Sequence, residues 1–180
     1  ICNTSYVFNA SLIEGIPPIE SIINKNAINT SVYIEKIIKR LKVGYKEYGN
    51  RAFYNPQTDE VVLPPKDMFI DKYSYYATQL HELCHSTGNK KRLNRNMNNN
   101  NIKDYAREEL IAEISSSFLM QQLDIAPTAE HYDNHKTYIK SWMEILEDKP
   151  NELFKAINES NKVCDYINNK IKNKVKENAR

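Results

Sequence analysis

The stretch HELCH, His81 to His85, constrains this chain more than any other five residues in it. Two histidines four apart lie on one face of an α-helix, about 5–6 Å from each other at Cβ, and so can share one metal ion. Glu82 falls one position round the helix, beside the ion instead of on it. A carboxylate there can take a proton from a zinc-bound water, whose pKa the metal lowers to roughly 7. The spacing therefore predicts a helix running from about Asp71 to a stop at Gly88, with Tyr73, Tyr76, Ala77, Leu80 and Cys84 turned to a core. It names His81 and His85 as ligands and Glu82 as general base.

The rest of the chain reads as an α+β frame around that helix. Val32, Ile34, Ile37, Ile38 and Leu41 recur at helical spacing over 30–41, after which Gly44 and Gly49 break the chain. RAFYNPQTDEVVLPP, 51–65, predicts a hairpin and so a small antiparallel sheet. NKKRLNRNMNNNN, 89–101, is polar and aperiodic and is expected to be an exposed, mobile loop. Asp104 is expected to cap a helix over about 105–122, with Glu108 and Glu109 in or just after its first turn. Further helices are expected near 131–147 and 151–172, before NKIKNKVKENAR frays into a tail. Residues 1–29, with IPP at 16–18, are expected to form an extended lead-in or linker, and 30–175 one domain.

Composition narrows the partners. The 180 residues suffice for one core, and 41% hydrophobic with 27% charged residues is ordinary globular composition. A net charge of +2 argues neither for nucleic acid nor for membrane, and it disfavours acidic mimicry of DNA. No apolar run approaches the ~18–20 residues that span a bilayer. Cys2, Cys84 and Cys164 are scattered, which predicts reduced thiols and a cytoplasmic location. The start lacks both an initiator Met and the layout of a signal peptide, so the chain reads as a segment of a longer protein.

A catalytic zinc site needs a third protein ligand. In HExxHxxGxxH that ligand would fall at residue 91, but Lys91 is an ammonium and repels a cation. EELIAE, 108–113, supplies Glu109 and, one turn on, Glu113. Their shared face would aim Glu109 at the ion and let Glu113 hydrogen-bond a ligand histidine, while Glu108 is expected to face solvent. His131 and His135 of HYDNH are also four apart, so His135 is the main rival to Glu109 and a second ion site there stays open.

FNASLIEGIPP, FYNPQTDEVVLPP, YYATQLHELCHSTGNKKRLNR, YAREELIAEISSSFLMQQL and NHKTYIKSWMEILEDKPNELFKAINESNKVCDYI resemble successive blocks of one domain. It is the zincin-like metallopeptidase domain of ArdC-type antirestriction proteins and related polyvalent proteins of plasmids and phages. The resemblance runs from about Tyr6 to Ile167. It implies an α+β zincin with one Zn2+ on His81, His85 and Glu109, Glu82 as base, and Glu113 behind a ligand. It also implies a single-stranded-DNA-binding domain upstream in many members. The NHKTYIKSW block makes His135 and Tyr138 candidates for lining the cleft. Cys84 stands where small apolar residues are usual, and is tolerable there as a buried thiol.

Three functions compete at this point. In a metallopeptidase, Tyr105, Tyr138 or His135 would donate to the oxyanion, and DEVVLPP would offer a strand edge to an extended peptide. In a zinc-stabilised binding module, contact with DNA or a restriction enzyme would suffice without proteolysis. Direct nucleic-acid contact would use KIIKRLKVGYKEYGNR, 36–51, and KKRLNR, where basic groups and tyrosines interleave. A solvated helix face and loop is the plainer reading of that last pattern.

Overall fold

The computed structural model describes residues 29–97, 101–146 and 149–172. The expected lead-in around IPP and the tail after residue 172 lie outside the described residues. In α1 (Thr30–Leu41), Tyr33, Ile34, Ile37 and Leu41 form one buried stripe, and Asn29 caps the start by accepting from the Val32 N–H. The next segment, β1 (Gly44–Glu47), is a strand where a break is expected. Gly44 serves close approach here: a Cβ would lie 2.6 Å from Cγ of Glu60 on the paired strand.

The hairpin forms as expected from β2 (Phe53–Asn55) and β3 (Glu60–Leu63), with Tyr54 opposite Val61. Asn55 closes its turn by accepting from the N–H groups of Gln57 and Thr58. The sheet order is β1-β3-β2, with β1 parallel and β2 antiparallel to β3. The sheet is therefore mixed, and β3 lies in its middle with both edges paired. Val61, Val62 and Leu63 are accordingly buried. DEVVLPP offers no free edge; among the described strands the outer ones are β1 and β2.

Four helices complete the frame. Asp71 caps α2 (Lys72–Ser86) by accepting from the Ser74 N–H. The following helix, α3 (Ile102–Gln122), starts earlier than expected. Its cap is Asn101, and Asp104 sits in the first turn, where the dipole favours an acid. Thr128 and His131 build a capping box for α4 (Ala129–Ile145), and α5 (Lys149–Lys172) buries Ala156, Ser160, Val163, Cys164 and Ile167.

α3 is the centre of the helical layer, with α2, α4 and α5 packed on it. Its residues Leu110 to Ser116 are all buried, as befits a helix enclosed on several sides. By contrast α4 buries only His131 among its described residues and lies on the surface. No helix among the described residues is long and apolar enough to cross a membrane.

Candidate metal centre

The two histidines of α2 and the first part of α3 meet at one point. Nε2 of His81 and Nε2 of His85 are 3.1 Å apart. The Glu109 carboxylate reaches both, with Oε2 3.4 Å from His81 Nε2 and Oε1 3.6 Å from His85 Nε2. Ligands about 2.0–2.1 Å from a tetrahedral ion lie roughly 3.3–3.4 Å from one another. The two Nε2 atoms and the carboxylate, one oxygen facing each ring, are thus close to the spacing that donors round one tetrahedral ion require. Among the described residues His81, His85 and Glu109 are the group placed to hold an ion.

The other nitrogen of each imidazole fixes its tautomer. His81 Nδ1 is 3.3 Å from Glu113 Oε2, and His85 Nδ1 is 3.1 Å from Glu108 Oε1. In the neutral rings each Nδ1–H would donate to its carboxylate and leave the Nε2 lone pair aimed at the shared point. Glu108 is therefore no solvent-facing residue: it is 5% exposed and gripped by Arg95, Nε to Oε2 at 2.8 Å and Nη2 to Oε1 at 2.7 Å. Arg95 also donates to the Cys84 carbonyl and to Thr87 Oγ1, while Arg92 donates to the Ser86 and Leu41 carbonyls and pairs with Asp59. The RLNR stretch, expected to be loose, instead braces the end of α2.

Charge suits the point to a cation. Glu82, Glu108, Glu109 and Glu113 surround two imidazoles, with Arg95 as the buried counter-charge. Burial by itself would lower the histidine pKa values, but hydrogen bonds to Glu109 and Glu113 lift His81 to about 9. Glu108 and Glu109 likewise overcome burial and lift His85 to about 10. Burial would raise Glu109 and Glu113, yet their histidine partners hold both well below the usual carboxylate range. Two protonated Nε2 atoms 3.1 Å apart would repel, so a single divalent cation suits the pocket better than two protons.

The point opens on a cleft of about 340 Å³ lined by Glu82, both histidines, Glu109, Tyr105 and the β2 residues Phe53 and Tyr54. Burial, then the charge and hydrogen bond of Glu109, push the Tyr105 hydroxyl up to about 12, and its ring stands edge-on to Trp142. Cys84 is fully buried, with burial pushing its thiol well up, and it takes no part in the ion-binding group.

His135 and Tyr138 line a second cleft, of about 310 Å³, which also reaches His81 and Glu109. His135 is not aimed at the ion point. Its Nδ1 hydrogen-bonds Glu113 Oε1 and its Nε2 lies 2.7 Å from the Tyr73 hydroxyl. Tyr138 is 59% exposed at that rim. His131 does not converge with His135 either: it lies 3.1 Å from Asp71 and stacks on Tyr73. Among the described residues no group placed to hold an ion includes His131 or His135, whose rings bond to Asp71 and to Glu113.

The nucleic-acid pattern also loses part of its chemistry. Arg92 and Arg95 are turned inward, Lys46 pairs with Glu60 at 2.6 Å, and the Tyr45 hydroxyl bonds Glu47 and Gln79. Sequence reasoning missed Glu108, Arg95 and Tyr73 as parts of the site. One signal was available for Glu108. LIAEISSSFLM carries a single charge over eleven positions, which marks a helix without a broad solvent face.

Residues 32–159 match a family model described as a zincin-like metallopeptidase. Two Escherichia coli proteins named DNA primase TraC are each 37% identical over 163 and 164 residues, 89% of this chain but only 11% and 15% of their own length. Protein y4eC of Sinorhizobium fredii is 30% identical over 162 residues, 52% of its length. The crystal structure of the antirestriction protein ArdC from plasmid R388 with Mn(II) bound superposes with a TM-score of 0.65 at 34% identity, covering 78% of this chain and 52% of ArdC. Its metal-free form gives 0.59 at 31%. The chain thus spans about half of y4eC and ArdC, and much less of TraC.

Proposed function

This chain belongs to the zincin-like metallopeptidase family, and from that premise we propose that it hydrolyses peptide bonds with one zinc ion held by His81, His85 and Glu109. The observation that carries the reading is the convergence of donors, the two Nε2 atoms 3.1 Å apart and the two Glu109 oxygens 3.4 and 3.6 Å from them in turn, beside the cleft that Glu82 lines. The Mn(II)-bound ArdC structure supports a divalent ion of some kind, and the N,N,O donor set suits zinc. A divalent ion held there would lower the pKa of a coordinated water towards about 7 and polarise a peptide carbonyl.

Glu82 takes the proton from the attacking water and returns it to the leaving amine. Tyr105 keeps its proton at neutral pH and donates a hydrogen bond to the developing oxyanion. β2, an outer strand whose Phe53 and Tyr54 line the cleft, can hold an extended polypeptide by main-chain hydrogen bonds. Kinship with ArdC, an antirestriction protein of a plasmid, supports a role in antirestriction.

Glu82→Gln tests the chemistry. Cleavage of an unfolded protein substrate should fall by about 10²–10⁴-fold while zinc binding is retained. Cleavage that survives the substitution excludes this mechanism. The rival reading, a zinc-stabilised binding module, predicts that cells carrying Glu82→Gln keep full protection against restriction.

A further inference from the structure

His135 and Tyr73 have no place among the ligands or the base, yet both are tied to the ion point by an unbroken chain of hydrogen bonds. Glu113 Oε2 accepts from His81 Nδ1–H at 3.3 Å, and Glu113 Oε1 accepts from His135 Nδ1–H. With its proton on Nδ1, His135 presents Nε2 as an acceptor, and the Tyr73 O–H lies 2.7 Å from it. Every donor in the series points the same way, towards the carboxylate or the next ring, so one tautomer satisfies all the groups. Tyr73 is in turn held by the His131 ring stacked on it at 4.3 Å between centroids.

We propose that His135 and Tyr73 are positioning residues that fix the Glu113 carboxylate, and through it the His81 imidazole, for ion binding. The inference rests on the assignment of His81 as a ligand. Its physical basis is that a carboxylate has two rotatable bonds beyond Cβ and needs more than one donor to hold a plane. Glu108 has a bidentate guanidinium for this purpose. Glu113 has no arginine; the second oxygen is held by His135 from α4 instead. Because α4 buries so little of itself, this bond also pins the surface helix to α3 beside the cleft.

Asparagine and glutamine separate the two ring nitrogens. The Asn side-chain amide reaches the place of Nδ1 and can still donate to Glu113, while the Gln amide reaches the place of Nε2 and can meet only Tyr73. Zinc affinity is to be measured by competition with a chromogenic chelator on the 180-residue chain, with circular dichroism melts as the folding control. Expected are a loss of about tenfold in His135→Ala and His135→Gln, near wild-type affinity in His135→Asn, and a loss of about twofold to fivefold in Tyr73→Phe, which removes one oxygen only. Equal affinity in all variants overturns the proposal. So does an equal loss in the Asn and Gln variants, since that pattern reports packing of α4 and not the bond to Glu113. A wild-type chain that binds no zinc overturns the ligand assignment itself, a different result from either.

Discussion

The two flanks of the ion point solve one problem with different materials. On the inner flank His85 leans on Glu108, which Arg95 grips in a site where both side chains are 6% exposed. On the outer flank His81 leans on Glu113, whose other oxygen goes to His135 on a surface helix, with its side chain 22% exposed. The inner flank is a buried ion pair built into the end of α2. The outer flank is a chain of hydrogen bonds that runs through the Glu113 carboxylate across to the surface helix α4. A buried charge pair is costly to break on one side, whereas a hydrogen-bonded chain near water can be repaired by solvent. Stability should therefore depend on the inner flank, and the finer adjustment of ion binding on the outer one.

Arg95→Ala should have the largest effect. It strands Glu108 without a partner and removes the donors to the Cys84 carbonyl and Thr87, so a loss of about 3–5 kcal/mol is expected in urea unfolding of the metal-free protein. A loss below about 1 kcal/mol would erase the distinction between the flanks. Glu113→Gln comes next. It should weaken zinc about 10–100-fold while lowering the unfolding midpoint of the metal-free protein less than Arg95→Ala does. If it unfolds the chain as readily as Arg95→Ala, the outer flank is structural too.

The smallest effect concerns pH. Raised values near 9 for His81 and 10 for His85, against 6.5 for a free imidazole, add stability that is full below about 6.5 and lost as pH rises through 9–10. The depressed Glu109 and Glu113 add stability present above about 4.5 and lost on acidification through their lower folded values. The metal-free pocket is thus best satisfied between about pH 4.5 and 6.5 and weakens in alkali. Zinc must displace the imidazole protons, so the rise in melting temperature on adding zinc should be larger at pH 8 than at pH 6. An equal rise at both would mean that the imidazoles are not what the ion displaces.

The sequence alone carried the near-neighbour geometry. His81 with His85 and Glu109 with Glu113 are each one helical turn apart, and that regularity follows from 3.6 residues per turn whatever the rest of the chain does. The 53–63 hairpin and the Asp71 start of α2 were legible for the same local reason. What lay across elements was not legible. Glu108 was expected in water because it is one step off the Glu109 face, but α3 is enclosed and Arg95 arrives from a segment whose composition resembles a loose loop. Gly44 read as a break and is the close-approach point of a parallel strand, a fact that belongs to Glu60 as much as to the glycine. HYDNH left a second ion site open and made His135 a rival to Glu109, yet tertiary neighbours draw its histidines to Asp71 and to Glu113. Periodicity settles which side chains share a face. Which partner that face meets, and so which carboxylate becomes a ligand and which a brace, is decided only when separate elements come together.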